Sequence, residues 1–163
     1  MRKRSKYRPR PVIANPVGFV LESIKPVRAH EQYLLDLKIK NSMAMKALLR
    51  GEATRDDMDT LIAMSNITEA LHKLGFGKEY GEACVDGREA IIGISYRAVQ
   101  HGRFVPTGPE ITKLNTLMEL HDAQMDVITI KDMENALTYA KQQFKNKTGV
   151  TYLPSIDKLG AAA

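Results

Sequence analysis

Three observations predict an all-α fold. Apolar side chains recur at three- and four-residue spacing along most of the chain, the signature of one buried helical face. Helix-start signals precede these runs, most clearly at Thr107-Gly108-Pro109-Glu110, an S/T-x-x-E capping box. Aromatic residues make up only 6%, Trp is absent and there are eight Met, a composition suited to aliphatic helix packing. The expected architecture is a bundle of about five main helices with an extended basic N-terminal arm. A length of 163 residues fits one domain with a real core. The expected division is an arm at 1–11, a helical domain at 12–147 and a tail at 148–163.

The arm, MRKRSKYRPRP, concentrates positive charge and contains two prolines that oppose a helix. Asn15-Pro16 then reads as a cap followed by proline at the first helical position. Val17, Val20, Leu21 and Ile24 fit a short helix closed by Pro26 and expected to dock on the body. From Ala29 to Arg50 a long helix carries Leu34, Leu35, Leu37, Ile39, Met43, Leu48 and Leu49. That sector is wide enough to predict deep burial, and Gly51 ends the helix. Thr54 caps a third helix with Asp56 and Asp57 in its first turn, where acids suit the helix dipole. Met58, Leu61, Ile62, Met64, Ile67, Leu71 and Leu74 carry it to Gly75.

Lys78 to His101 also reads as helix, through Tyr80, Ala83, Cys84, Ala90, Ile91, Ile94 and Ala98, and ends at Gly102. Gly81, Gly87 and Gly93 oppose this, each costing about 1 kcal/mol against Ala in a helix interior. They imply either close helix packing or a break near Asp86-Gly87. The next stripe is Ile111, Leu114, Leu117, Met118, His121, Met125 and Ile128. Thr129 with Asp132 then opens a last helix carrying Ile130, Met133, Leu137, Ala140 and Phe144. The tight joint predicts a helical hairpin whose two faces meet in one core. Beyond Lys147 periodicity fades.

The net charge of +5 is unevenly distributed. Residues 1–28 contain Arg2, Lys3, Arg4, Lys6, Arg8, Arg10, Lys25 and Arg28 against the single acid Glu22, a balance of +7 that leaves −2 for the remainder. Phosphates attract such an arm without sequence preference. Arg2, Lys3, Arg4, Lys6, Arg8 and Arg10 are therefore the candidate nucleic-acid-binding residues, with Tyr7 as a stacking group among them. An acidic protein surface is the alternative partner. Lys131, Asn135, Thr138, Lys141, Gln142 and Lys145 form a second polar face, for which solvation is the commoner outcome. No helix-turn-helix is found.

Enzyme signatures are weak. His121-Asp122, with Asp126 four residues on, matches one part of the metal-dependent HD phosphohydrolase pattern. The remaining ligands would have to be His72 and Asp157, whose spacing is poor, and His121 lies on an apolar stripe. Gly75-Phe76-Gly77 lacks the continuation of a phosphate loop. The lone Cys84 reads as a small core residue, and it leaves no partner for an intramolecular disulfide. His30 and His101 read as ordinary residues at helix ends. No catalytic residue, metal or cofactor is expected. No run reaches the ~18 apolar residues of a membrane span, and the basic N-terminus lacks the apolar core of a signal peptide.

Arg2-Lys3-Arg4-Ser5-Lys6-Tyr7-Arg8-Pro9, Asp36-Leu37-Lys38-Ile39-Lys40-Asn41, Gly51-Glu52-Ala53-Thr54-Arg55 and Met118-Glu119-Leu120-His121-Asp122-Ala123-Gln124 together resemble a group of small bacteriophage and prophage proteins of Gram-negative bacteria. The resemblance spans about residues 1–147 and brings no activity or functional residues with it. It implies a phage accessory role in the cytoplasm of a bacterial host. The leading expectation is thus non-catalytic nucleic-acid binding through the arm. Second comes binding and inhibition of a host protein such as defence machinery, and third an HD-like hydrolase. Homo-oligomerisation is compatible with all three.

Overall fold

A computed structural model of the chain describes residues 16–146. Within them lie six helices: α1 (Pro16–Ser23), α2 (Glu31–Leu49), α3 (Arg55–Lys73), α4 (Gly81–His101), α5 (Gly108–Val127) and α6 (Ile130–Asn146). Five are long and α1 is short, so the fold is the all-α bundle that the periodicity predicts. Single 3₁₀ turns at Val27–Ala29 and Lys78–Tyr80 lead into α2 and α4.

The helix boundaries follow from local chemistry. Thr54 and Asp57 form a reciprocal capping box, with the Thr54 N–H donating to Asp57 Oδ2 at 2.8 Å and the Asp57 N–H to Thr54 Oγ1 at 3.3 Å. Thr129 and Asp132 repeat this arrangement at 2.9 and 3.3 Å. At α5 the Thr107 N–H donates to Glu110 Oε2 at 2.8 Å. Each box satisfies amide donors that a helix start would otherwise orphan. Gly51 and Gly102 close α2 and α4 at φ near +71° and +72°, the left-handed region that favours glycine.

α3 is the centre of the bundle and packs against α2, α4, α5 and α6. Its buried residues accordingly point in several directions: Met58, Leu61, Ile62, Met64, Ser65, Thr68, Ala70 and Leu71. One apolar cluster joins the C-terminal half of α2 and the N-terminal half of α3 to α4, Phe104 and the start of α5. A second joins Val27 and Leu34 to Ala70, Leu71, Met125, Ile128 and Ala136. Ion pairs pin the outer surface: Arg88 to Glu69 between α4 and α3, and Arg97 to Glu110 and Lys113 to Asp86 between α4 and α5.

α4 runs unbroken through its glycines. Gly87 is buried, and a Cβ there would meet Leu117 Cδ2 at 2.6 Å. Its missing side chain is what brings α4 onto α5, which resolves the choice between close packing and a break.

Four expectations are corrected. α5 and α6 do not form a hairpin with meeting faces, because Ile128 is extended (φ −81°, ψ 158°). That residue redirects the chain, so α6 packs on α3 while α5 packs on α3 and α4. α2 is less buried than its apolar content suggests: Leu35, Ile39, Met43 and Leu49 are exposed, and the inward line is Leu34, Asn41, Ala44, Met45 and Leu48. On α6 the fully buried residue is Ala136, whereas Phe144 is exposed. Finally, α1 forms as expected, but Val17, Val20, Leu21 and Ile24 are each more than half exposed. What holds this end of the chain is the segment after α1. The Val27 N–H donates to Ile128 O and the Ile130 N–H to Lys25 O, both at 3.0 Å. Pro26 and Thr129 thereby pair as a single antiparallel rung.

Candidate functional site

At the meeting of the two apolar clusters α2, α3 and α5 place polar side chains inside the bundle. Asn41, Ser65, Thr68, His121 and Gln124 are all buried. Each occupies an inward position of its helix, so the bundle must satisfy it internally. The Thr68 hydroxyl donates to Met64 O at 2.8 Å, and its oxygen lies 3.0 Å from His121 Nδ1. Having one proton, already given to Met64, the hydroxyl accepts from His121 Nδ1–H. The ring nitrogen Nε2 then carries a lone pair. Burial, reinforced by the positive charge of Lys38, lowers the His121 pKa to about 4, so the ring is neutral near pH 7.

Gln124 joins α5 both to α3 and to the turn that follows it: its Nε2 donates to Thr68 O at 3.2 Å and to Phe76 O at 3.0 Å. His72 holds the same turn through Nδ1 and Gly77 O at 3.0 Å. Three buried side-chain atoms find no hydrogen-bond partner among the described residues: Asn41 Nδ2, His121 Nε2 and Gln124 Oε1. The first two belong to residues that line one cleft between α2, α3, α5 and α6, of about 160 Å³. Leu37, Ile67, Met133 and Leu137 give its apolar walls, and Tyr33 and Lys40 also line it.

The candidates for nucleic-acid contact, Arg2, Lys3, Arg4, Lys6, Tyr7, Arg8 and Arg10, lie outside the described residues. The chain enters the described body at Pro16 and is tied down at the Pro26–Thr129 rung, next to exposed Lys131. Lys131, Asn135, Thr138, Lys141, Gln142 and Lys145 form an exposed outer face of α6.

Among the described residues the HD-type constellation does not come together. His121 bonds Thr68, His72 bonds Gly77, and Asp157 is outside the described residues. Asp126 lies 3.8 Å from Lys38. Burial pushes the Asp122 carboxyl above its ordinary range, with Lys38 opposing and Asp126 adding to the effect. Among the described residues no group of three or more His, Cys, Asp or Glu is placed to hold a metal ion. Cys84 is buried, and burial raises its thiol pKa, with the negative charge of Glu69 adding to the effect.

Asn41, Thr68 and Gln124 were not singled out from the sequence. Their signal was there: each is a polar residue at an inward position of an apolar stripe. No helix among the described residues is long and apolar enough to cross a membrane. The chain matches no family model, no curated protein and no solved structure.

Proposed function

We propose that the protein is a non-catalytic accessory protein of a phage or prophage, acting in the cytoplasm of a bacterial host and binding nucleic acid through its basic arm. The charge asymmetry carries this reading: +7 within residues 1–28, against −2 over the rest of the chain. Closely spaced cations on an extended segment contact several phosphates together and release their counterions. A helical body beside such an arm supplies the scaffold from which it reaches a groove or a single strand. The phage setting rests on the resemblance of the sequence blocks at residues 2–9, 36–41, 51–55 and 118–124. The test is a titration of labelled duplex DNA, single-stranded DNA and RNA at several salt concentrations. Binding that weakens steeply with salt supports the reading. No binding to any of the three at low salt removes it.

A second reading is favoured by α1 and the residue after it, where Val17, Val20, Leu21 and Ile24 stay exposed. An apolar stripe of this kind suits a host protein surface, with the arm contacting acidic groups around it. Pull-down from host lysate with and without nuclease separates the two. Nuclease-resistant recovery of one host protein, lost in Leu21→Ser, favours this second reading.

A further inference from the structure

α2 carries an apolar stripe on the side away from the core. Its buried residues, Leu34, Asn41, Ala44, Met45 and Leu48, lie on the side that packs on α3. Leu35, Ile39 and Met43 recur every four residues. At about 100° per residue they fall on the opposite side of the helix. They are 53%, 47% and 63% exposed. A single exposed apolar side chain is ordinary, but three in line on an unpartnered face mark an interaction surface.

The pattern along this face is symmetric about Ile39. Leu35 precedes it by four residues and Met43 follows it by four. The charges beside the stripe change sign at the same point: Glu31 and Asp36 come before Ile39, Lys40 and Lys46 after it, and all four are exposed. An interface between two identical copies requires such self-complementarity, because every contact is made twice. Antiparallel packing of two α2 helices about a two-fold axis at Ile39 sets Ile39 on its own counterpart and Leu35 on the partner's Met43. It brings Glu31 beside the partner's Lys46 on one flank and Asp36 beside the partner's Lys40 on the other. Parallel packing would set each charge beside its own like. Lys38, the cation nearest its counterpart across the axis, lies 3.8 Å from Asp126 of its own copy.

We infer that α2 is a dimerisation helix, whose outer face takes a second copy of the chain in an antiparallel register centred on Ile39. A single pair of helices gives an interface at or below the low end for stable complexes, about 1,200 Å², so association should be micromolar rather than nanomolar. The surface stands apart from the basic arm and does not depend on what the arm binds.

The test is analytical sedimentation of the full chain, freed of nucleic acid, from low to high micromolar concentration. A reversible monomer–dimer equilibrium is expected, and a monomer throughout overturns the inference. Ile39→Glu puts two like charges on the axis and should weaken association roughly tenfold or more. Its far-ultraviolet circular dichroism should stay unchanged, because the residue is half exposed. A dimer of unaltered affinity in that variant places the interface elsewhere and overturns the inference. Asp36→Lys should also weaken association, and Asp36→Lys combined with Lys40→Asp should restore it. Failure of the double exchange to restore it overturns the antiparallel register. If Ile39→Glu does not fold, Ile39→Cys decides. It should cross-link as a covalent dimer on mild oxidation, since the native Cys84 is buried, and the absence of a cross-link sinks the proposal.

Discussion

Gly87 and Leu117 hold α4 and α5 closer together than any larger residue at position 87 permits: a Cβ there would sit 2.6 Å from Leu117 Cδ2 and 3.0 Å from Leu117 Cβ. The second contact is with the root of the side chain, so a rotamer change of Leu117 does not relieve it. Overpacking of this kind costs about 1–3 kcal/mol, against a helix-propensity gain of about 1 kcal/mol on replacing glycine. Gly87→Ala should therefore lower stability, by up to about 2 kcal/mol. Gly108 is the control, since a Cβ there meets nothing within 4 Å. Gly108→Ala should be neutral or stabilising by about 0.4–1 kcal/mol. Urea melts of the two variants check both signs, and a stable Gly87→Ala would show that the helices can part at no cost.

Acid should weaken the fold through His121. In the folded chain its pKa is lowered from 6.5 to about 4, chiefly by burial. Between these values the unfolded chain binds a proton that the folded chain refuses. The contribution is fully present above pH 6.5 and is lost as pH falls toward about 4, at about 1.36 kcal/mol per pH unit and on the order of 3 kcal/mol in all. Asp122 acts in the opposite sense, because its raised pKa favours the folded state as pH falls. Urea melts from pH 7.5 to 4.5 should show a net loss. His121→Gln, whose amide can still donate to Thr68 Oγ1, should flatten it. An equal slope in that variant would assign the acid sensitivity to other groups.

The arm should show itself in the salt dependence of binding. The logarithmic slope is about −0.9 per phosphate on duplex DNA and about −0.7 on single strands. Replacing Arg2, Lys3, Arg4 and Lys6 by Ala should flatten it by roughly two to four units and weaken all sequences alike. Tyr7→Ala should matter mainly on single strands, where stacking contributes about 1–3 kcal/mol per base. If binding survives when Arg8 and Arg10 are replaced as well, the site lies on the body, with exposed Lys131, Lys141 and Lys145 next to test.

A chain starting at Val12 should fold. Among the described residues both apolar clusters are built from residues between Val27 and Ala140, and the sequence of the arm, MRKRSKYRPRP, offers almost no apolar side chain. Its helical circular dichroism and melting temperature should match those of the full chain. Loss of cooperative melting would make the arm part of the folded structure.

What the sequence determined by itself is local. The starts of α3, α5 and α6 are legible because Thr54–Asp57, Thr107–Glu110 and Thr129–Asp132 are contacts three residues apart. The ends of α2 and α4 are legible because Gly51 and Gly102 take the left-handed turn in place. The inward stripe of α5 is legible because its period depends on one helix alone. Tertiary structure decided whatever depends on distant partners. Gly87 continues its helix because Leu117 lies against it, and three glycines read alone cannot distinguish that from a break. The α2 stripe stays half exposed because α3 has four neighbours and covers only one side of α2. One extended residue, Ile128, parts α5 from α6 and turns an expected hairpin into two helices that share α3. Asn41, Thr68 and His121 come from three helices far apart in sequence. Only their packing buries these polar side chains together inside the bundle.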